Sequence, residues 1–203
     1  MAWSHYTELL STKNEEEINY YIQLTLEYNL SVRQLREKIK SNEYKRLDEE
    51  TKRKIFHNKK TIATDFVKNP ILIKNSNNYL EISEKVLQKL ILEDISTFLK
   101  KLGTGFCFID NEYKIKIGDR YNYIDLLLYN FKYKCFVVIE LKVTDLNSNH
   151  TDQIQKYMNY IDKNVKEIDD NKTVGIIICK RENKYVIKYC SDNRIIERKY
   201  ELV

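Results

Sequence analysis

Tyr123-Ile124-Asp125-Leu126-Leu127-Leu128-Tyr129 and Phe136-Val137-Val138-Ile139-Glu140-Leu141-Lys142 are the two segments whose reading decides the fold. Both are short, apolar and rich in β-branched or aromatic residues, so both read as strands with at least one buried face. The connection between them, Asn130-Phe131-Lys132-Tyr133-Lys134, has hairpin length. With its turn centred on Lys132 and Tyr133, paired residue numbers sum to 265 and Asp125 falls opposite Glu140. Cross-strand neighbours have Cβ atoms roughly 4.5–5.5 Å apart. Lys142 lies two residues beyond Glu140, and period-2 alternation returns it to the same face. A carboxylate in such a run is costly unless something positive satisfies it, and two at that distance repel. The arrangement suits a Mg²⁺ ion with an ammonium beside it. A solvent-facing Glu–Lys pair, with Asp125 bonded to a backbone amide, is the bland alternative for the same three residues.

Outward from the hairpin, the pattern reads as an α/β chain. Ser83 to Lys101 carries Val86, Leu87, Leu90, Ile91, Ile95, Phe98 and Leu99 at helical spacing and stops at Gly103. Strands are predicted near 105–109, 113–117, 121–129 and 134–142, then a helix over about 149–168 with Ile154, Met158, Ile161 and Val165 facing the sheet. Val174 to Cys179 is apolar on both faces and reads as an interior strand. A closing hairpin is predicted from segments 184–190 and 194–200. Upstream, Glu15 to Glu27 has a helical stripe of Ile18, Tyr21, Ile22 and Leu26. Ser31 and Gln34 form a capping-box pattern that starts a second helix, with Val32, Leu35 and Ile39 inward. Two helices across a short turn are compatible with a helix-turn-helix, in which Arg33, Arg36 and Lys40 would reach nucleic acid. The polar stretch 51–82 holds the only proline, Pro70, and Asn75-Ser76-Asn77-Asn78 reads as a linker. The expected division is a helical domain over 1–74 and an α/β domain over 75–203.

Asp125 followed by Glu140-Leu141-Lys142 resembles the PD-(D/E)XK nuclease superfamily. Three stretches resemble, more narrowly, the YhcG-like family of bacterial nucleases: Trp3-Ser4-His5-Tyr6 with Glu8-Leu9-Leu10; Phe98-Leu99 with Leu102-Gly103 and Gly105-Phe106; and Ile124 to Lys142 with Gln153 and Tyr157. The resemblance implies a restriction-endonuclease-like αβββαβ core with a mixed sheet and a Mg²⁺-dependent endonuclease acting on DNA, with Mn²⁺ able to substitute. It implies Asp125, Glu140 and the Leu141 carbonyl as metal ligands, and Lys142 to orient or deprotonate water and stabilise the transition state. It places Gln153 and Tyr157, one helical turn apart, beside the hairpin: Gln153 in the catalytic group, supporting the site or touching the DNA backbone, and Tyr157 either toward nucleic acid or simply packed. His150 and Asp152 open the same helix and carry less weight. The departures are also informative. Ile124 stands where a proline often precedes the first Asp, and Leu87-Gln88 stands where the family tends to have Leu-Glu, so a supporting acidic ligand is either missing or supplied by Glu84 one turn earlier. The family's first domain starts well upstream of Trp-Ser-His-Tyr, so the helical domain is expected to be partial. A nucleic-acid-binding module with the nuclease fold and little catalysis is the alternative function, and a protein-interaction scaffold a third.

Lys and Arg number 35 against 30 for Asp and Glu, a mild excess. It concentrates between Ser31 and Lys60, with eleven basic and five acidic residues, which suits a polyanion or a solvated helix face. No apolar run reaches membrane-span length, and the amino terminus has no signal-peptide pattern. Cys107, Cys135, Cys179 and Cys190 are scattered singly, three of them in apolar strand-like segments, and read as buried reduced thiols, which fits the cytoplasm. The sequence leaves the oligomeric state open, a homodimer included.

Overall fold

The computed structural model describes residues 1–57, 59 and 61–203, so Lys60 at the end of the basic segment lies outside the described residues. It divides into two compact units, Met1–Thr61 and Ile62–Val203. The first is helical: α1 (Trp3–Leu9), α2 (Glu15–Tyr28), α3 (Val32–Lys40), a single 3-10 turn at Tyr44–Arg46, and α4 (Glu49–Phe56). Asn14 caps α2 by accepting from the Glu17 N–H, and Asn29 ends it in the left-handed region at φ 48°. The Ser31–Gln34 capping box forms as the sequence predicts, with Ser31 N–H donating to Gln34 Oε1 at 2.8 Å. Leu35 is fully buried against Tyr20, Tyr21, Leu24 and Tyr44. Leu26, expected inward, is instead 57% exposed, because Tyr20, Tyr21 and Leu24 define the buried stripe of α2.

The second unit is a six-stranded sheet with helices on both faces. Its elements are β1 (Ile71–Ile73), α5 (Glu84–Glu93), α6 (Ile95–Leu102), β2 (Phe106–Ile117), β3 (Arg120–Asn130), β4 (Cys135–Asp145), α7 (Ser148–Asn164), β5 (Asn171–Arg181), α8 (Lys184–Lys188) and β6 (Ile195–Leu202). The strand order is β1-β6-β5-β4-β3-β2. The pairs β2–β3 and β3–β4 are antiparallel, and β4–β5, β5–β6 and β6–β1 are parallel. This is the mixed-sheet αβββαβ core, extended by two parallel strands.

Four sequence expectations are corrected here. The closing hairpin does not form: β6 runs parallel to β5, and the crossover between them carries α8, capped by the Asn183 side chain accepting from Val186 N–H. Segments 105–109 and 113–117 are one strand, β2, irregular between Phe108 and Asp110. The helix expected over 83–101 breaks at Asp94, whose carboxylate accepts from Thr97 N–H and so starts α6. Ile71-Leu72-Ile73, assigned to the helical domain, is an edge strand paired with Tyr200-Glu201-Leu202, so residues 62–74 belong with the sheet.

Two apolar layers clamp the sheet. Leu126, Leu128, Val137, Ile139, Leu141, Ile176 and Ile178 pack with Leu87, Leu90 and Ile91 of α5 and Phe98 and Leu102 of α6. Leu127, Val138, Ile177 and Cys179 pack with Ile154, Met158 and Ile161 of α7. The alternation of Ile176, Ile177, Ile178 and Cys179 between these layers explains why β5 is apolar on both faces. At Gly175 the sheet meets α7 so closely that a Cβ there would lie 2.6 Å from Met158 Sδ and 2.9 Å from Ile154 Cδ1. All four cysteines are free; Cys135 and Cys179 are buried, whereas Cys107, expected in a buried strand, is exposed. Among the described residues no helix is long and apolar enough to cross a membrane.

Candidate active site

The β3–β4 ladder has the register the turn predicts, running from Asn130↔Cys135 to Leu126↔Ile139. It stops there, one position short of Asp125 and Glu140. Two irregularities coincide at that point. Strict alternation would put Ile124 in the same layer as Leu126, yet Ile124 packs in the α7 layer with Leu127. Across from Asp125, between the pairs Asn111↔Leu126 and Tyr113↔Ile124, Glu112 has a left-handed backbone at φ 50°. Such a conformation is uncommon for a residue with a Cβ and bends the strand locally. Ladder pairing between β3 and β4 therefore ends at Asp125, where side-chain contacts take the place of ladder bonds.

Asp125 Oδ2 accepts the Leu141 N–H at 2.7 Å, a side-chain oxygen in place of a backbone partner. In an antiparallel ladder a residue presents its N–H and C=O to the same neighbour. The Leu141 carbonyl accordingly points to the same side of β4 as its N–H, toward Asp125. Glu140 is 1% exposed. Its Oε2 accepts from Gln153 Nε2 at 3.2 Å and lies 3.6 Å from Lys142 Nζ, while its Oε1 is buried with no hydrogen-bond partner. Lys142 Nζ is also 3.4 Å from Glu84 Oε2 on α5, so the ammonium sits between two carboxylates.

The electrostatics follow from this crowding. Burial, reinforced by Asp125, pushes Glu140 up to about 8 against the opposing pull of Lys142. Burial also raises Asp125, opposed by the Leu141 N–H and Lys142 and assisted by Glu84 and Glu112. Burial alone would lower Lys142, but Glu140, Glu84 and Asp125 together outweigh it and raise its pKa, keeping it an ammonium. Among the described residues, Lys142 thus serves several carboxylates, and the buried Glu140 Oε1 makes no close hydrogen bond. An added divalent cation fits that imbalance. The donors available to it are Asp125, Glu140 and the Leu141 carbonyl. Among the described residues no group of three or more His, Cys, Asp or Glu side chains converges to hold a metal.

The structure brings Asp125, Glu140, Lys142 and Gln153 together. Gln153 Nε2 also donates to Tyr157 Oη at 3.0 Å. Tyr157, expected to touch nucleic acid, is only 5% exposed and packs in the α7 layer, so it props Gln153 and its ring has no open face for a base. Gln88 donates to the Asp125 backbone carbonyl at 3.0 Å, and Glu84 pairs with Lys142 as described. His150 folds back on Asn147, whose N–H donates to its Nδ1 at 3.3 Å; burial and the nearby Lys142 lower its pKa. Asp152 is exposed. Glu112 escaped the sequence reading altogether, since nothing in Asp110-Asn111-Glu112 marks a bulge. Arg33, Arg36 and Lys40 belong to the helical unit. Arg36 makes a two-pronged ion pair with Glu8, at 2.9 and 2.7 Å, tying α3 to α1. Arg33 pairs with Glu37 at 3.3 Å on an exposed helix face, and Lys40 is exposed.

The YhcG PDDEXK nuclease domain model matches residues 64–202, more than half the chain and nearly all of the second unit. The chain belongs to this family. The DUF1016 N-terminal domain model matches residues 1–46 in addition. In the YhcG family, "Putative nuclease YhcG" of Escherichia coli (strain K12) is 26% identical over 182 residues, covering 87% of this chain and 48% of that protein. The chain therefore spans about half the length of the curated relative it matches. Among solved structures, a repair endonuclease from Pyrococcus abyssi is similar over 62% of this chain and 49% of its own, with 19% identity and a TM-score of 0.41. An EndoMS–dsDNA complex is similar over 62% and 48%, with 17% identity and a TM-score of 0.41. Likeness at that level carries no functional argument. The assignment rests on the family match and on the αβββαβ topology.

Proposed function

We propose that this YhcG-family chain is a divalent-metal-dependent DNA endonuclease whose site is Asp125, Glu140 and Lys142, with Gln153 as a positioning residue. One observation carries the reading: where β3 leaves β4, two carboxylates and an ammonium converge, and the buried Glu140 Oε1 makes no close hydrogen bond among the described residues. Asp125, Glu140 and the Leu141 carbonyl would hold Mg²⁺, which when bound supplies Lewis-acid activation of water and neutralises phosphate charge. Gln153 fixes the Glu140 carboxylate through one hydrogen bond and is itself held by Tyr157. Lys142, kept protonated by Glu84 and Glu140, is suited to donating hydrogen bonds to a phosphate oxygen as charge develops there. It is poorly suited to removing a proton while both carboxylates stay charged. The test is incubation of purified protein with labelled DNA duplexes, junctions, flaps and single strands in Mg²⁺, Mn²⁺ or EDTA. Internal cleavage is expected with either ion and none with EDTA. DNA binding with no cleavage under any metal would leave a binding module with a nuclease fold. Cleavage that persists in EDTA would remove the metal from the account.

A further inference from the structure

The β2–β3 hairpin continues past the site as a two-stranded ribbon that turns at Gly118, φ 61°, and Asp119. β2 is the last strand of the sheet, so the ribbon has a free edge. Its two faces differ. On one, Ile115 and Ile124 are buried in the α7 layer. On the other, the directly opposed pairs Lys114↔Tyr123 and Lys116↔Tyr121 are all exposed, with Tyr121 at 57% and Tyr123 at 52%. Lys114 Nζ lies 3.9 Å from the Tyr121 ring centroid and Lys116 Nζ 5.8 Å. Tyr123 is two residues from Asp125, roughly 7 Å along the strand at about 3.4 Å per residue. Lysine alone on an edge strand is explained by protection against edge-to-edge pairing. That need does not account for two solvent-exposed tyrosine rings on β3 directly opposite the lysines.

We propose that Lys114, Lys116, Tyr121 and Tyr123 form a binding track for single-stranded DNA that leads along β3 to Asp125. The lysines contact phosphates and the tyrosines stack on unpaired bases. Base faces inside a duplex are already stacked and leave an aromatic ring nothing to cover, so the tyrosines select the unpaired form. The track's role in cleavage rests on the nuclease reading above; its role in binding does not.

The decisive experiment is fluorescence anisotropy of a labelled single-stranded oligodeoxynucleotide with the full chain in EDTA, where no metal-dependent cutting can occur. A duplex of the same sequence is the control. Tyr121→Ala and Tyr123→Ala are each expected to weaken single-strand binding by roughly fivefold to a hundredfold, with little effect on duplex binding. Tyr121→Phe should bind like wild type. Lys114→Gln with Lys116→Gln should reduce the salt slope by about 1.4, at about 0.7 for each phosphate contact on a single strand. All four side chains are exposed, so circular dichroism should report unchanged folding. The proposal is overturned if wild type does not bind single strands, if the folded variants bind them with wild-type affinity and slope, or if the tyrosine variants lose duplex binding equally. Absence of cleavage in Mg²⁺ would defeat the nuclease reading while leaving these binding results to stand or fall separately.

Discussion

Glu140 has an ordinary pKa near 4.5 when unfolded and about 8 in the folded, metal-free protein, because burial and Asp125 disfavour its charge. A folded-state pKa above the unfolded one means that the native state binds the proton more tightly. The corresponding stability is complete below pH 4.5 and is lost as pH rises through about 8. Urea unfolding without metal should therefore show wild type losing on the order of a few kcal/mol between pH 5 and pH 9, at about 1.4 kcal/mol per tenfold proton affinity. Glu140→Gln should lack that loss; parallel curves would refute the assigned environment. Gln153→Ala removes the bond that orients Glu140 and should slow cleavage about 10–100-fold with the fold retained, read as kcat at saturating DNA. The convergence of Asp125, Glu140 and Lys142 was legible in the sequence because a charged residue in an apolar strand is anomalous in itself. Glu84 was reached only through the family resemblance and Glu112 not at all: each meets the site through a tertiary approach, one from a helix and one from a bulge.

The β3–β4 register was legible at the level of elements because a short turn and two runs of apolar residues leave little freedom to slip. The closing hairpin was misread for a related reason. Tyr185-Val186-Ile187 has strand-like residues, but Asn183 offers a helix cap, and Val186 and Ile187 pack in the α7 layer. Tertiary packing thus overrode β-propensity, while the chain crossed over to set β6 parallel to β5. The same layer links packing to function at Gly175, where α7 sits against β5. Gly175→Val would force Met158 and Ile154 outward and move the helix carrying Gln153. Overpacking of this kind costs about 1–3 kcal/mol. Thermal unfolding should show that loss, together with slower cleavage by whatever protein remains folded at the assay temperature. A variant with wild-type stability would mean that α7 packs more loosely than described.

For the whole molecule, the second unit holds the complete sheet, both apolar layers and every group of the candidate site. Residues 62–203 expressed alone should then unfold in a single cooperative transition, followed by circular dichroism in urea; a broad, non-cooperative loss would show that the helical unit is needed for folding. The boundary was misplaced in the sequence because a polar stretch with Pro70 resembles a linker, whereas three residues beside it, Ile71 to Ile73, complete the sheet edge through β6. Chain order could not reveal a pairing between residues more than a hundred positions apart. In the proposed function, Asp125, Glu140 and Lys142, where β3 leaves β4, carry out metal-dependent hydrolysis of DNA. The single-turnover cleavage rate of one labelled DNA in Mg²⁺ for wild type, Asp125→Ala, Glu140→Ala and Lys142→Ala, each verified as folded, reads that role directly. Cleavage by wild type is expected, with a loss of about a hundredfold or more for every variant, of the size seen when a single group stabilising the transition state is removed. Cleavage by all three variants at the wild-type rate would contradict that role.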